Sequence, residues 1–407
     1  MNRSILIRCV LRAVTLICAA ALCAAEGSVH LRQLDSGSHH LGFAGEPEWQ
    51  EFEGTTPEAR SLGIKFAAHA NARPATLLIR QRDVKLQWPV LLNGRRMGWL
   101  ELNEYPLVAA IPLPAASLRD GDNTLSILSP ETADDIVVSD VRLDSRPPEE
   151  ALHESTVRVR VTQQDGSAVP CRLTVVDAQG SLAPIHASPG QLLAVRTGVV
   201  YTGDGRAELG LPAGDYTIYA TRGFEYGVDA RKLSVAADSS VDVALRINRE
   251  VPTPGLIACD THIHTLTFSG HGDATLDERA LTLASEGIEL AIATEHNRFA
   301  DYTDAARRMN VAEYFTCAIG NEVTTKSGHF IAFPAAATDA PVPDFNLSDW
   351  PALMTSIRAV PGVQLVVLNP KRLRCIRPHT SRKVKMNSNV CSLDRRNCCC
   401  SCPEIQP

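Results

Sequence analysis

Asp260-Thr261-His262-Ile263-His264 and, about thirty residues later, Thr294-Glu295-His296 are the stretches on which the reading of this chain turns. An apolar run, Gly255 to Cys259, leads into the first, and another, Leu290 to Ala293, leads into the second. Each reads as a buried strand whose end carries imidazoles, the position that α/β folds use for ligands. On an extended strand the two side chains of His-x-His share one face, about 7 Å apart at the backbone. From there two neutral imidazoles converge on one metal ion. A lone histidine at a strand end is usually a rim residue; two at this spacing behind an aspartate are a metal-site candidate.

Further residues of the same chemistry follow. Glu322 in Gly320-Asn321-Glu322 and His329 in Ser327-Gly328-His329 flank the apolar runs Phe315 to Ile319 and Phe330 to Phe333. His271 stands in Ser269-Gly270-His271-Gly272. The segment thus gathers five histidines and two glutamates, with no cysteine among them. Such a nitrogen and oxygen donor set suits zinc, manganese or iron.

With these motifs on the page, Gly255 to about Asn369 resembles the first half of a PHP (polymerase and histidinol phosphatase) domain. The matching features are a leading D-x-H-x-H-T, a Ser-Gly loop, a helix, an apolar strand ending in T-[DE]-H-N, a G-x-E and a downstream G-H-F. The multidomain layout resembles the superfamily branch that contains carbaryl hydrolase. The resemblance implies a distorted (β/α)7 barrel whose mouth holds two or three divalent ions, and hydrolysis of a phosphoester, carbamate or other ester of a small molecule by metal-activated water. Carried over by motif, His262 and His264 would hold one ion and Glu322 would bridge two. His271, His296 and His329 would serve the remaining positions. Asp260 and Glu295 would orient ligands or move protons, with Glu295 standing where the family more often has aspartate.

Local signals agree with β/α alternation. Thr275-Leu276-Asp277-Glu278 reads as a capping box, an N-cap hydroxyl with a carboxylate three residues on. Leu276, Ala280, Leu283 and Ala284 repeat at helical spacing, and Gly287 closes the helix. A strand over Glu289 to Thr294 follows. Further helices are predicted over Tyr302 to Met309 and near Ser348 to Val360, and Val363 to Leu368 reads as a buried parallel strand.

The pattern then stops. Lys371 to Pro407 carries nine Lys/Arg against two Asp/Glu and six of the twelve cysteines, without helical or strand periodicity. Adjacent cysteines in Cys398-Cys399-Cys400 do not splay round one tetrahedral ion as C-x2-C pairs do. We therefore expect this stretch to be a disordered tail, a frame-shifted or truncated reading. A PHP barrel would need a later Asp-x-His, which is absent after Leu368. Weak or no hydrolase activity is the corresponding expectation.

Ahead of the histidine motifs, Met1 to about Ala25 reads as a secretory signal. Arg3, Arg8 and Arg12 precede an apolar stretch too short to span a bilayer stably. Export to a periplasm or outside the cell follows. Two Pro-rich joints, Arg146-Pro147-Pro148-Glu149-Glu150 and Val251-Pro252-Thr253-Pro254, divide the remainder. Residues 29–145 read as a jelly-roll-like β-sandwich, with Asn93-Gly94 as a hairpin turn. Trp88 and Trp99 there suit the core or rim better than a sugar platform. Residues 151–250 read as a smaller sandwich resembling carboxypeptidase-regulatory-like or transthyretin-like modules, with Val157, Val159 and Val161 on its inner face. Residues 255–370 would be the half barrel. Cys171, Cys259 and Cys317 read as buried small hydrophobes.

A net charge of −6 with no organised basic patch argues against nucleic acid as a specific partner. No phosphate-binding glycine loop and no Ser-His-Asp or Cys-His arrangement is legible. The competing reading is a non-catalytic extracytoplasmic protein that binds carbohydrate or another partner through its sandwiches and keeps a vestigial metal site.

Overall fold

The computed structural model describes residues 30–43, 52–130, 134–187, 192–326 and 328–369. The expected signal and the Cys-rich tail lie outside the described residues. The chain forms two compact units, one ending at Leu152 and the other beginning at His153. Among the described residues no helix is long and apolar enough to cross a membrane.

The first unit is a two-sheet sandwich. Strands β1 (Leu31–Leu41), β2 (Ser61–Ala68), β3 (Ala75–Arg82) and β4 (Pro89–Leu92) are followed by β5 (Arg95–Trp99), β6 (Leu107–Leu113), β7 (Gly121–Leu128) and β8 (Ile136–Asp144). They pair in the orders β1-β8-β3-β6 and β2-β7-β4-β5. Leu77, Ile79, Val138 and Val141 from one sheet meet Val90, Leu125 and Ile127 from the other in a single buried core. A short helix, α1 (Pro148–Ala151), closes the unit. Trp88 lies wholly inside that core and donates its Nε1–H to Asp134 Oδ2 at 2.9 Å. Trp99 lies at the rim with the Arg96 guanidinium over its ring.

The second unit begins with another sandwich. Its strands are β9 (Ser155–Thr162), β10 (Cys171–Asp177), β11 (His186–Ala187), β12 (Leu193–Arg196), β13 (Val199–Thr202), β14 (Arg206–Leu211), β15 (Gly214–Thr221), β16 (Asp229–Val235) and β17 (Ser240–Arg246). The sheets run β12-β13-β10-β15-β16 and β11-β14-β9-β17. All ladders are antiparallel except β9 with β17. The alternation read in Val157, Val159 and Val161 puts all three inside, against Leu173, Val175 and Ile218 of the opposing sheet.

The histidine-bearing part follows in the same unit. Strands β18 (Cys259–Ile263), β19 (Leu290–Ala293) and β20 (Thr316–Ile319) form a parallel sheet. Between β18 and β19 lie α2 (Leu266–Ser269) and α3 (Leu276–Ser285), and α4 (Thr303–Arg308) precedes β20. Thr275 caps α3 with the full reciprocal box to Glu278, and Gly287 takes a left-handed φ of 69° just past its end. Ala280, Leu281, Leu283 and Ala284 of α3 pack on Ile263, Ala291 and Ala293 of the sheet. The α3 helix also rests on the sandwich, where Ser285 Oγ donates to the Thr202 carbonyl at 3.1 Å.

Three more strands, β21 (Asn321–Thr325), β22 (Gly328–Phe333) and β23 (Leu365–Asn369), form an antiparallel sheet. Helix α5 (Trp350–Arg358) covers it through Leu353 and Ile357 packed on Val323 and Phe330. This arrangement corrects two expectations. The segment expected as a buried parallel strand is antiparallel to β22, and Leu365, Val367 and Leu368 are exposed. The Gly255 to Cys259 run is exposed as well except for Ala258, Leu256 by 70%, because β18 is the edge of its sheet and no described element pairs with its outer side. Cys259 is exposed with it, whereas burial pushes the Cys171 and Cys317 thiols up to about 12. Two separate three-stranded sheets stand where half of a (β/α)7 barrel was expected, and no closed barrel forms among the described residues.

Candidate metal centre

The two small sheets meet end to end, and the meeting point is the site. Past β19 the chain runs on beside β21: Glu322 N–H donates to the Glu295 carbonyl at 3.1 Å, and Asn297 N–H to the Glu322 carbonyl at 3.0 Å. This places His296 opposite Glu322. Gly320 permits the approach. A Cβ there would lie 2.9 Å from Ile292 Cγ2 and 3.1 Å from the Ala293 carbonyl, closer than packed atoms tolerate. Thr294 locks β18 to β19 by accepting from Ile263 N–H at 2.7 Å and donating to the Ile263 carbonyl at 3.0 Å. The residues on either side of Ile263, His262 and His264, are thereby held on one rim.

Glu322 is the hub. It is 1% exposed, yet four imidazoles surround its carboxylate. Oε1 lies 3.3 Å from His262 Nε2 and 2.9 Å from His329 Nδ1, and Oε2 lies 3.0 Å from both His264 Nε2 and His296 Nδ1. Burial opposes its ionisation, but contacts with His262, His264, His296 and His329 outweigh burial and hold it far below the usual carboxylate range. The same contact raises His262, against desolvation. His271 joins through Nε2, 2.6 Å from His296 Nε2, and its pKa is lowered by burial and by the neighbouring imidazoles.

Three overlapping donor sets result: His262, His264 and Glu322; His296, Glu322 and His329; and His264, His271 and His296. Ligand distances of about 2.0–2.2 Å give a tetrahedron with edges of roughly 3.3–3.6 Å. The spacings of 2.9–3.3 Å between the donor atoms of the first set approach that. Two buried atoms strengthen the fit: Glu322 Oε2 and His329 Nε2 have no hydrogen-bond partner of acceptable geometry among the described residues. Such atoms are costly to bury unless something coordinates them.

The six metal-ligand candidates therefore converge, while the two proton-transfer candidates do not join them. Asp260 Oδ1 accepts from His262 N–H at 3.0 Å and shapes the end of β18. Glu295 is wholly buried and points away from the hub, accepting from Thr265 Oγ1 at 2.7 Å, Tyr302 Oη at 2.6 Å and Ser269 Oγ. Side chains alternate along an extended chain, so Glu295 faces opposite to His296. Burial, followed by the Glu295 contact, raises the Tyr302 phenol far above its ordinary range. Sequence reading missed Ser269, Thr265 and Tyr302, and two further residues. Thr324 Oγ1 lies 2.6 Å from His296 Nδ1, and Asn369 donates from Nδ2 to Glu322 Oε1 at 3.1 Å. Asn369 had a usable signal, since it ends an apolar strand beside the same rim. Thr324 lies two residues from Glu322 and so shares its face.

No family model matches this chain. No curated protein matches it either. Comparison with solved structures brings forward a β-glucuronidase from Faecalibacterium prausnitzii, 13% identical, covering 72% of this chain and 60% of that one at a TM-score of 0.20. A family 2 β-galacturonidase from Eisenbergiella tayi, bound to glycerol, is 11% identical over 72% of this chain and 66% of that one, TM-score 0.21. A β-glucuronidase from Ruminococcus gnavus is 11% identical over 74% and 60%, TM-score 0.21. The chain thus spans less than two thirds of the length of these proteins. The expected function as a PHP-type ester hydrolase is corrected here: the barrel that reaction was expected to need is not formed among the described residues. At TM-scores near 0.2 the likeness carries no glycosidase activity to this chain.

Proposed function

We propose that this protein binds divalent transition-metal ions at the junction of its two small sheets. The observation that supports this reading is the convergence of four imidazoles on a single buried carboxylate, Glu322, which two of the three donor sets share, with His271 joined to them through His296. His262, His264 and Glu322 would hold one ion. His296, Glu322 and His329 would hold a second, and His271 with His264 and His296 offers a third position. Neutral imidazole and carboxylate donors without thiolate favour zinc, manganese or iron. A bound ion supplies Lewis-acid character toward an oxygen ligand. Each set contributes three protein donors, the number typical of sites that keep a position for an exchangeable ligand. The His262 side chain, 39% exposed, marks the side from which such a ligand would enter.

The chain's own residues prepare this chemistry. Thr294 and Gly320 fix the rim on which the donors stand, and Asn369 donates to the carboxylate from β23. The test is direct. The full chain, purified without added metal and stripped with chelator, is titrated with Zn²⁺ and Mn²⁺ by calorimetry and assayed by elemental analysis. Saturable uptake of at least one ion per chain is expected. Uptake no greater than that of a Glu322→Gln, His264→Ala double variant of equal folded content would sink the reading.

A further inference from the structure

We propose that Ser269 and Glu295 are positioning residues that set the tautomer of His264, leaving its Nε2 as the bare nitrogen aimed at the metal position. The inference rests on the metal-binding reading above and concerns residues that reading does not use. It starts from a hydrogen-bond count around a buried carboxylate. Glu295 accepts four contacts, from Thr265 Oγ1 at 2.7 Å, Tyr302 Oη at 2.6 Å, Thr265 N–H at 3.3 Å and Ser269 Oγ. The Ser269 hydroxyl donates to Glu295 Oε2 and so spends its one proton there.

Its oxygen is then confined to accepting. One lone pair takes the backbone N–H of His296 at 3.3 Å. The other faces His264 Nδ1, also at 3.3 Å. For this contact to be a hydrogen bond, His264 must carry its proton on Nδ1. A neutral imidazole with Nδ1–H has a lone pair on Nε2. That atom lies 2.9 Å from His262 Nε2 and 3.0 Å from Glu322 Oε2, in the midst of the first donor set. A cation between these atoms relieves the facing lone pairs. The order Glu295, Ser269, His264 therefore runs from buried carboxyl group to metal position through one hydroxyl. Supporting hydrogen bonds of this kind orient metal-bound histidines and raise their basicity.

The two tyrosine and threonine hydroxyls on Glu295 make the direction robust. Both point their protons at Oε1, and both residues are wholly buried, so no solvent competes for that oxygen. Oε2 is left to Ser269 and the Thr265 amide.

The test uses the full chain labelled with ¹⁵N-histidine. Long-range ¹H–¹⁵N correlation spectra of the metal-free protein report the His264 tautomer. Chelator competition reports Zn²⁺ affinity. We expect Nδ1–H for His264 in the parent. In Ser269→Ala we expect a mixed or Nε2–H tautomer and about a 10–100-fold loss of Zn²⁺ affinity. Ser269→Thr, which restores the hydroxyl, should recover both. A His264 Nε2–H signal in the parent, or unchanged tautomer and affinity in Ser269→Ala, overturns the proposal. A parent that shows Nδ1–H yet takes up no Zn²⁺ overturns the metal reading and leaves the hydrogen-bond order standing, so the two failures are distinct.

Discussion

Replacing Glu322 by glutamine should weaken two metal positions at once, and replacing a single outer histidine should weaken one. The reason is geometric: Glu322 belongs to both carboxylate-containing donor sets, whereas His262 belongs only to the first and His329 only to the second. Loss of a ligand or its direct support typically costs about 10–100-fold in affinity, about 1.4–2.8 kcal/mol per ion at 1.4 kcal/mol per decade. For Glu322→Gln this applies to each of two ions, about 3–6 kcal/mol summed over both. The amide also cannot match the carboxylate's charge among four imidazoles, so the loss should sit at the upper end. His262→Ala and His329→Ala should each leave one ion bound at parental affinity. The assay is Zn²⁺ titration against a chelator of known affinity, with stoichiometry from elemental analysis and folded content from far-UV circular dichroism. The reasoning fails if Glu322→Gln retains both affinities within a factor of three, or if either histidine variant weakens both ions equally.

Three other outcomes are expected. Asp134→Ala in the first sandwich removes the acceptor for Trp88 Nε1–H and for Leu86 N–H, each at 2.9 Å. At about 1–3 kcal/mol for each donor left unpaired, urea unfolding should show a loss of about 2–6 kcal/mol, toward the lower end because the Leu86 amide is only partly buried, and Asp134→Asn should recover more than half. Thr275→Ala breaks the capping box of α3 and should cost about 1 kcal/mol; a change below 0.3 kcal/mol in the same measurement, taking about 0.5 as the smallest effect of a lost cap, would contradict it. Brief alkylation of the native protein followed by peptide mapping should label Cys259 well before Cys171 or Cys317. Cys259 is exposed, while burial pushes both other thiols up to about 12; equal labelling of Cys171 would refute the assigned burial.

Local rules were legible in the chain and held. The Thr275 to Glu278 box and Gly287 delimit α3 because capping depends on neighbours within one turn. Val157, Val159 and Val161 lie inside because strand alternation has a period of two. The donor residues were legible by chemistry, since His262, His264, His296, Glu322 and His329 stand beside short apolar runs. Glu295 could have been turned inward on the same alternation that turns His296 toward the rim. What spacing cannot express is which chain segment closes on which. Gly255 to Cys259 and Val363 to Leu368 are apolar enough for a buried sheet, but β18 is an edge and β23 is antiparallel to β22, so both stay largely exposed. The hub role of Glu322 also came only with the tertiary structure. Glu322 lies sixty residues from His262 in the chain, and their contact exists because Gly320 lets β21 run against the end of β19. Long-range contact is set by packing and backbone pairing between distant segments, and neither leaves a mark in the residues on either side.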